Sequence, residues 1–243
     1  MAEPLLAVDK LSRRFGGLTA VSEVSFELPE GSALGLIGAN GAGKTTLFNC
    51  LTGFDRPTSG DVRFRGRSLL GMSRFRIVRL GLARTFQIVR PFRDLPVIAN
   101  VMIPLIAAGA GATAKPQALA VLERVGLGAR AGIPSGQLSE GDLKRLELAR
   151  ALATKPSLLL LDEPFAGLST AEIGLLTTTI HALRAEGVSL VIVEHKIGSL
   201  LPLVDRVVAL DYGMKIAEGE PAAVMREPVV VQAYLGGEVD GAH

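Results

Sequence analysis

The sequence has one cysteine, no tryptophan and no excess of charge of either sign, and each shortage removes a class of protein. The single Cys50 cannot close an internal disulfide, and its place in a helix-like segment suits a small buried hydrophobe. Twenty-six Lys and Arg against 24 Asp and Glu leave a net charge of +2, so no long-range field marks nucleic acid or an anionic membrane as partner. No apolar run reaches the roughly 20 residues that a spanning helix needs. The most lipid-like stretch, 101–114, is broken by Pro104. The opening MAEPLLAVDK carries an early acid, a proline and a short apolar run, which does not make a signal peptide, so a cytoplasmic protein is expected.

What is present is apolar. Hydrophobic residues make up 48% and aromatics only 5%, with a mean hydropathy of +0.37, which fits a chain that buries some of its surface against a partner. The 243 residues suffice for one large domain carrying a small subdomain. Short strand-like runs at 5–8, 24–28 and 34–37, separated by turn residues, read as an amino-terminal sheet. A glycine-rich segment then flows into a helix that ends at Gly53. Further strands are expected at 62–64 and 81–86, the latter leading to Gln87. Between 88 and 137, helical segments alternate with Pro91, Pro96, Pro104 and Pro116. A helix at 139–153 follows, and the continuous apolar runs 158–161 and 188–193 flank a helix at 171–186. Such runs suit strands of a parallel sheet covered on both faces. The expected architecture is α/β: a core from 1–87 plus 154–236, a helical insertion at 88–153, and a flexible tail at 237–243.

Gly38-Ala39-Asn40-Gly41-Ala42-Gly43-Lys44-Thr45 matches G-x-x-x-x-G-K-[ST], with Thr46 continuing into the helix. In that loop backbone N–H groups wrap phosphates, Lys44 neutralises the β and γ oxygens, and Thr45 ligates Mg²⁺. The helix start adds its positive end. Leu158 to Leu161 run into Asp162 and Glu163, which puts two acids at the carboxyl edge of a strand beside that loop. Asp162 can hold Mg²⁺, directly or through water, and Glu163 can orient or deprotonate an attacking water.

Leu138-Ser139-Glu140-Gly141-Asp142, ahead of a helix, resembles the ABC signature sequence. The chain as a whole resembles ABC transporter ATP-binding subunits. The resemblance implies a P-loop NTPase core, with ATP and Mg²⁺ as cofactors. It also implies that the Ser139 hydroxyl and Gly141 backbone cap a γ-phosphate; an ordinary S-x-x-D capping box is the competing role, and the two can hold in different states. Glu140 and Asp142 stand where Gly and Gln are commonest, and Ser169 stands where the D-loop usually has Asp or Asn. The same resemblance makes Gln87 the Q-loop residue that senses Mg²⁺ and water, His195 the switch histidine at the γ-phosphate, and Phe15 the ring stacked on adenine.

The segments Arg84-Thr85-Phe86-Gln87, Phe48-Asn49-Cys50-Leu51-Thr52-Gly53, Glu194-His195-Lys196 and Ala233-Tyr234-Leu235-Gly236 are similar to the branched-chain amino-acid importer ATPases. That implies a peripheral subunit on the cytoplasmic face of the membrane. Its partners would be a second ATPase, identical or paralogous, transmembrane permease subunits and, indirectly, a solute-binding protein. Urea, amides and aromatic acids are cargoes of related importers. A P-loop GTPase or kinase would lack an explanation for 138–142 and would need a guanine-reading N/T-K-x-D, which is absent. A DNA-repair or translation ATPase would need a long coiled coil or a second cassette. An exporter or lipid-extracting ATPase shares the same core. The phosphate loop and the signature lie 95 positions apart (139 − 44). A single fold is not expected to bring both to one nucleotide, so two chains facing head to tail are.

Overall fold

Apolar runs without a polar face can only be satisfied by a sheet covered on both sides. The computed structural model, which describes residues 3–236, uses them that way. In chain order the elements are β1 Leu6–Phe15, β2 Leu18–Leu28, β3 Ala33–Ile37, α1 Lys44–Leu51, β4 Ser59–Phe64, β5 Arg67–Ser68, α2 Arg74–Arg79 and β6 Leu82–Arg84. Then come α3 Val97–Ala107, α4 Ala114–Arg124, α5 Glu140–Leu152, β7 Leu158–Asp162, α6 Thr170–Ala185, β8 Ser189–Val193, α7 Ile197–Leu200, β9 Arg206–Asp211, β10 Met214–Gly219, α8 Pro221–Val224 and α9 Pro228–Gly236. The expected tail at 237–243 lies outside the described residues.

Two sheets result. One is antiparallel, in the order β2, β1, β4, β5. The other has six strands in the order β10, β9, β3, β8, β7, β6; all are parallel except the edge strand β10. Every residue of β3, β7 and β8 is buried. Their alternating side chains feed two cores. Ile37, Leu159, Leu161 and Ile192 pack with the helices α3 to α6, whereas Leu36, Leu160, Val191 and Val193 pack with α1 and the antiparallel sheet. Each fully buried Leu, Ile or Val adds about 1.5–3 kcal/mol relative to exposure, so these strands contribute heavily to stability.

The amino-terminal strands are longer than the sequence suggests. β1 continues past Val8 through Asp9, Lys10 and Arg13 because register shifts between Val8 and Leu11 insert bulges, with Lys10 at φ 43° and Glu23 of β2 at φ 47°. A bulge breaks the two-residue alternation by which a strand is recognised. The carboxyl-terminal elements β9 to α9 had no sequence expectation; α9 runs through Ala233 and Tyr234 to Gly236, next to the expected tail.

The register aligns the functional edge. Leu36 of β3 pairs with Val193 of β8, and Val193 pairs in turn with Asp162 of β7. The loops after β3, β7 and β8 therefore leave the sheet at one level and on one side. Among the described residues no helix is long and apolar enough to cross a membrane.

Cys50 sits inside α1, with its thiol pushed up to about 12 by burial and by the nearby Asp55. A thiol in that state is a poor nucleophile. Ellman's reagent at pH 8 should leave the folded chain unmodified and titrate one thiol once urea unfolds it; stoichiometric labelling of the native chain would contradict the burial of α1.

Candidate functional site

The loop 38–43 joins the end of β3 to α1, and its shape needs glycine. A Cβ on Gly38 would run into the carbonyl of Leu210, and Gly43 holds φ 97° against the carbonyl of Ala20. Gly43 is the N-cap of α1 and no side chain caps the helix, which leaves its first amides directed into the loop. Lys44 folds back over the loop, its Nζ donating to the carbonyls of Gly38 at 2.7 Å and Ala39 at 2.8 Å. Burial lowers the pKa of this ammonium, while Glu163 and Asp162 oppose the shift. The loop, Phe15, Glu163 and His195 line a cleft of about 360 Å³. Phe15 closes one end, half exposed, with the Arg13 guanidinium 4.2 Å from its ring centre.

Four groups converge on Glu163. Its backbone is left-handed at φ 48°, and its N–H donates to the carbonyl of Val193 at 2.9 Å. Gln87 donates from Nε2 to one carboxylate oxygen at 2.9 Å, and Nε2 of His195 lies 3.0 Å from the other. Lys144 of α5 donates to the carbonyls of Gln87 at 2.9 Å and Glu163 at 3.2 Å. Desolvation is the larger influence on Lys144 and lowers its pKa, against the pull of Glu140 and Glu163. One residue earlier, the buried Asp162 is ion-paired with Arg84 at 2.7 Å; Arg84 also donates to Asn49 Oδ1 at 2.7 Å and lies 5.0 Å from the Phe86 ring centre. Glu194 accepts from the amides of Phe165 at 2.6 Å and His195 at 3.0 Å, fixing the turn that carries His195.

An apolar strand edge, a lysine-bearing glycine loop and a carboxylate held by an amide and an imidazole are the parts of a nucleotide-hydrolysing site. A family model described as "ABC transporter" matches residues 21–166.

The chain belongs to the ABC transporter family.

A second family model, "Branched-chain amino acid ATP-binding cassette transporter", matches residues 214–240. The chain is 42% identical to the high-affinity branched-chain amino acid transport ATP-binding protein LivG of Salmonella typhimurium, over 97% of this chain and 99% of that protein. It is 37% identical to the corresponding BraF of Pseudomonas aeruginosa over the same shares. Among solved structures, the ADP conformation of MJ1267, an ATP-binding cassette of an ABC transporter, matches with a TM-score of 0.87 at 28% identity, covering 97% of this chain and all of that one. The ABC cassette described here is an ATPase with a P-loop NTPase core.

In this cassette the signature segment stands apart from the cleft at Lys44. Ser139 caps α5, its Oγ accepting from the Asp142 amide at 3.2 Å. Asp142 turns inward, buried, with Arg130 and Arg145 on its carboxylate. The acid that replaces glutamine is thereby neutralised inside the fold. Glu140 lies over Gly167 and Glu172 over Gly141, while Ser169 and Glu172 form a capping box that starts α6. Ser169 in place of an acid or amide is therefore a helix cap. Sequence reasoning missed Lys144 and Arg84. The available signal was a cation on a buried helical stripe, since Lys144 shares a face with Leu148 and Ala151.

Arg84 is the only cation the structure sets on Asp162 among the described residues. Its removal leaves an uncompensated buried carboxylate, so Arg84→Gln should cost about 3–5 kcal/mol of stability in urea denaturation with an unchanged m-value. A cost below about 1 kcal/mol would contradict the burial of this pair.

Proposed function

We propose that this ABC cassette powers an importer for branched-chain amino acids or related small solutes such as urea, amides or aromatic acids. The cargo reading rests on the likeness to LivG and BraF, branched-chain amino acid transport proteins, and on the match at residues 214–240. What carries the catalytic reading is the convergence of Lys44, Glu163 and His195 on one cleft. Lys44 and the loop amides of 38–46 hold the β- and γ-phosphates, with Phe15 against the adenine. Glu163 orients or deprotonates the attacking water, Gln87 fixes that carboxylate, and His195 reaches the γ-phosphate. Hydrolysis of this kind needs an aligned nucleophile and fixed charges rather than covalent chemistry by the protein.

Thr45, Gln87 and Asp162 would hold Mg²⁺. They border one cavity of about 490 Å³ and offer hydroxyl, amide and carboxylate oxygens, the hard donors that Mg²⁺ takes together with phosphates and water. The ion would neutralise charge on the phosphate oxygens. Arg84 engages only one carboxylate oxygen of Asp162, so the residue still has a free ligand atom.

Ser139 and Gly141 are absent from the lining of the Lys44 cleft, which supports a head-to-tail pair in which they face the nucleotide of a second ATPase subunit. In this reading 1–87 plus 154–236 form the core and 88–153 the helical arm. The cassette sits peripherally on the cytoplasmic face of the membrane, bound to permease subunits that a solute-binding protein supplies with cargo. The segment from Gln87 to Leu95 is the permease groove: Ile88, Phe92 and Leu95 are exposed, and Arg84, Arg90 and Arg150 surround the adjoining cavity. Aromatic and arginine side chains are favoured interface anchors.

In vesicles containing the permease and its solute-binding protein, Phe92→Asp should abolish cargo uptake while the detached subunit keeps its ATPase rate. Lys44→Ala should lose nucleotide binding and uptake together. Full uptake by Phe92→Asp would remove the groove from this segment.

A further inference from the structure

The carboxyl-terminal segment touches the phosphate loop at one atom. The amide of Gly38 donates to the hydroxyl oxygen of Tyr234 at 2.8 Å, across 196 positions of chain. Gly38 opens the loop, and its peptide is held from several sides. Its own carbonyl receives the Lys44 ammonium at 2.7 Å, and at φ 151° its α-carbon fits against the Leu210 carbonyl and the Ala42 side chain with no room for a Cβ. The amide has no place in the β-ladder, because β3 ends at Ile37. A buried N–H of that kind needs a partner. Tyr234 supplies it from α9, which is seated by the fully buried Val230 and packs beside β10. Burial raises the phenol's pKa and the Gly38 amide opposes the rise, so at neutral pH the group is a protonated hydroxyl that accepts through its oxygen.

The ABC transporter match, residues 21–166, ends well before α9; the match at 214–240 contains it. The latch thus lies in the segment that the branched-chain amino acid model matches. We propose that α9 is a latch on the phosphate loop and that Tyr234 is a positioning residue for nucleotide binding. Its hydroxyl fixes the 37–38 peptide, one α-carbon ahead of the Gly38 carbonyl on which the Lys44 ammonium rests before phosphates draw it away, and with the α-carbon wedged against the Leu210 carbonyl the hold passes to that carbonyl through Gly38's own backbone angles. Nucleotide affinity then depends on whether α9 is seated, so any event that lifts the carboxyl-terminal segment loosens nucleotide without touching it. The inference rests on the reading of the Lys44 loop as the ATP site.

Tyr234→Phe keeps the ring and removes only the acceptor oxygen. Three measurements on the full chain test the latch: amide hydrogen exchange over residues 35–42, titration of MgATP and MgADP, and steady-state hydrolysis. Loss of one net hydrogen bond at the loop should weaken both nucleotides roughly five- to tenfold, with KM taking the loss rather than kcat. Exchange of the Gly38 region should rise at least severalfold while α5 and β7 stay protected. Faster exchange with affinities within twofold of wild type would reduce Tyr234 to a stabilising contact and overturn the proposal, as would unchanged exchange. Lys44→Ala in the same titration separates the failures, since retained binding there would sink the loop reading itself.

Discussion

Glu163 follows the last residue of a wholly buried strand with its backbone at φ 48°, a conformation that costs a non-glycine residue about 1–3 kcal/mol and persists only where its surroundings impose it. Here they do. The amide is held by the neighbouring strand, the carbonyl by Lys144, and the carboxylate by Gln87 and His195. Those attachments come from β8, from α5, from the loop after β6 and from the turn after β8. Parallel register brings them to one edge, because β7 lies between β6 and β8 and Asp162 stands level with Val193. The site is thus a consequence of strand order, in a sheet whose apolar runs tolerate no exposed face.

Lys144 connects this geometry to the signature. It lies three residues beyond Gly141 on α5, so a displacement of that helix against the sheet is delivered to the carbonyls of both Gln87 and Glu163. A second subunit whose nucleotide pulled on Ser139 and Gly141 would act on the carboxylate through one side chain. Charge placement follows the same economy. Asp142 is buried against two arginines and Asp162 against one, whereas Glu163 meets only an amide and an imidazole, and the Lys44 ammonium rests on two carbonyls.

Much of this was legible in the sequence for physical reasons. A phosphate loop needs glycines at fixed offsets, and a doubly covered strand cannot hide its apolar run, so the loop at 38–45, the acids at 162 and 163 and the strands around them could be read directly. The turn residues Gln87 and His195 were placed only by resemblance, because a lone amide or imidazole has no local pattern. Bulges concealed the lengths of β1 and β2, since Lys10 interrupts the alternation of the first and Glu23 that of the second. The partners of Arg84 and Lys144 could not be read for another reason: they lie 78 and 57 positions away, and even the buried stripe that marks Lys144 does not say which carbonyls it clamps. The role of Tyr234 was hidden in the same way. Its motif was noticed, but what its hydroxyl meets depends on where α9 lands.

The account stands or falls on Glu163 as the group that aligns water once two subunits have closed on ATP. Glu163→Gln preserves the shape of the side chain and, through the amide oxygen, the bond from Gln87, while removing its charge. Single-turnover hydrolysis and light scattering should be measured together on this variant, with and without MgATP. The account predicts ATP binding as tight as in the unmodified chain, cleavage slower by about 10²-fold or more, as expected for loss of a general base, and an ATP-dependent shift in mass from monomer to dimer. Cleavage at the unmodified rate would contradict it.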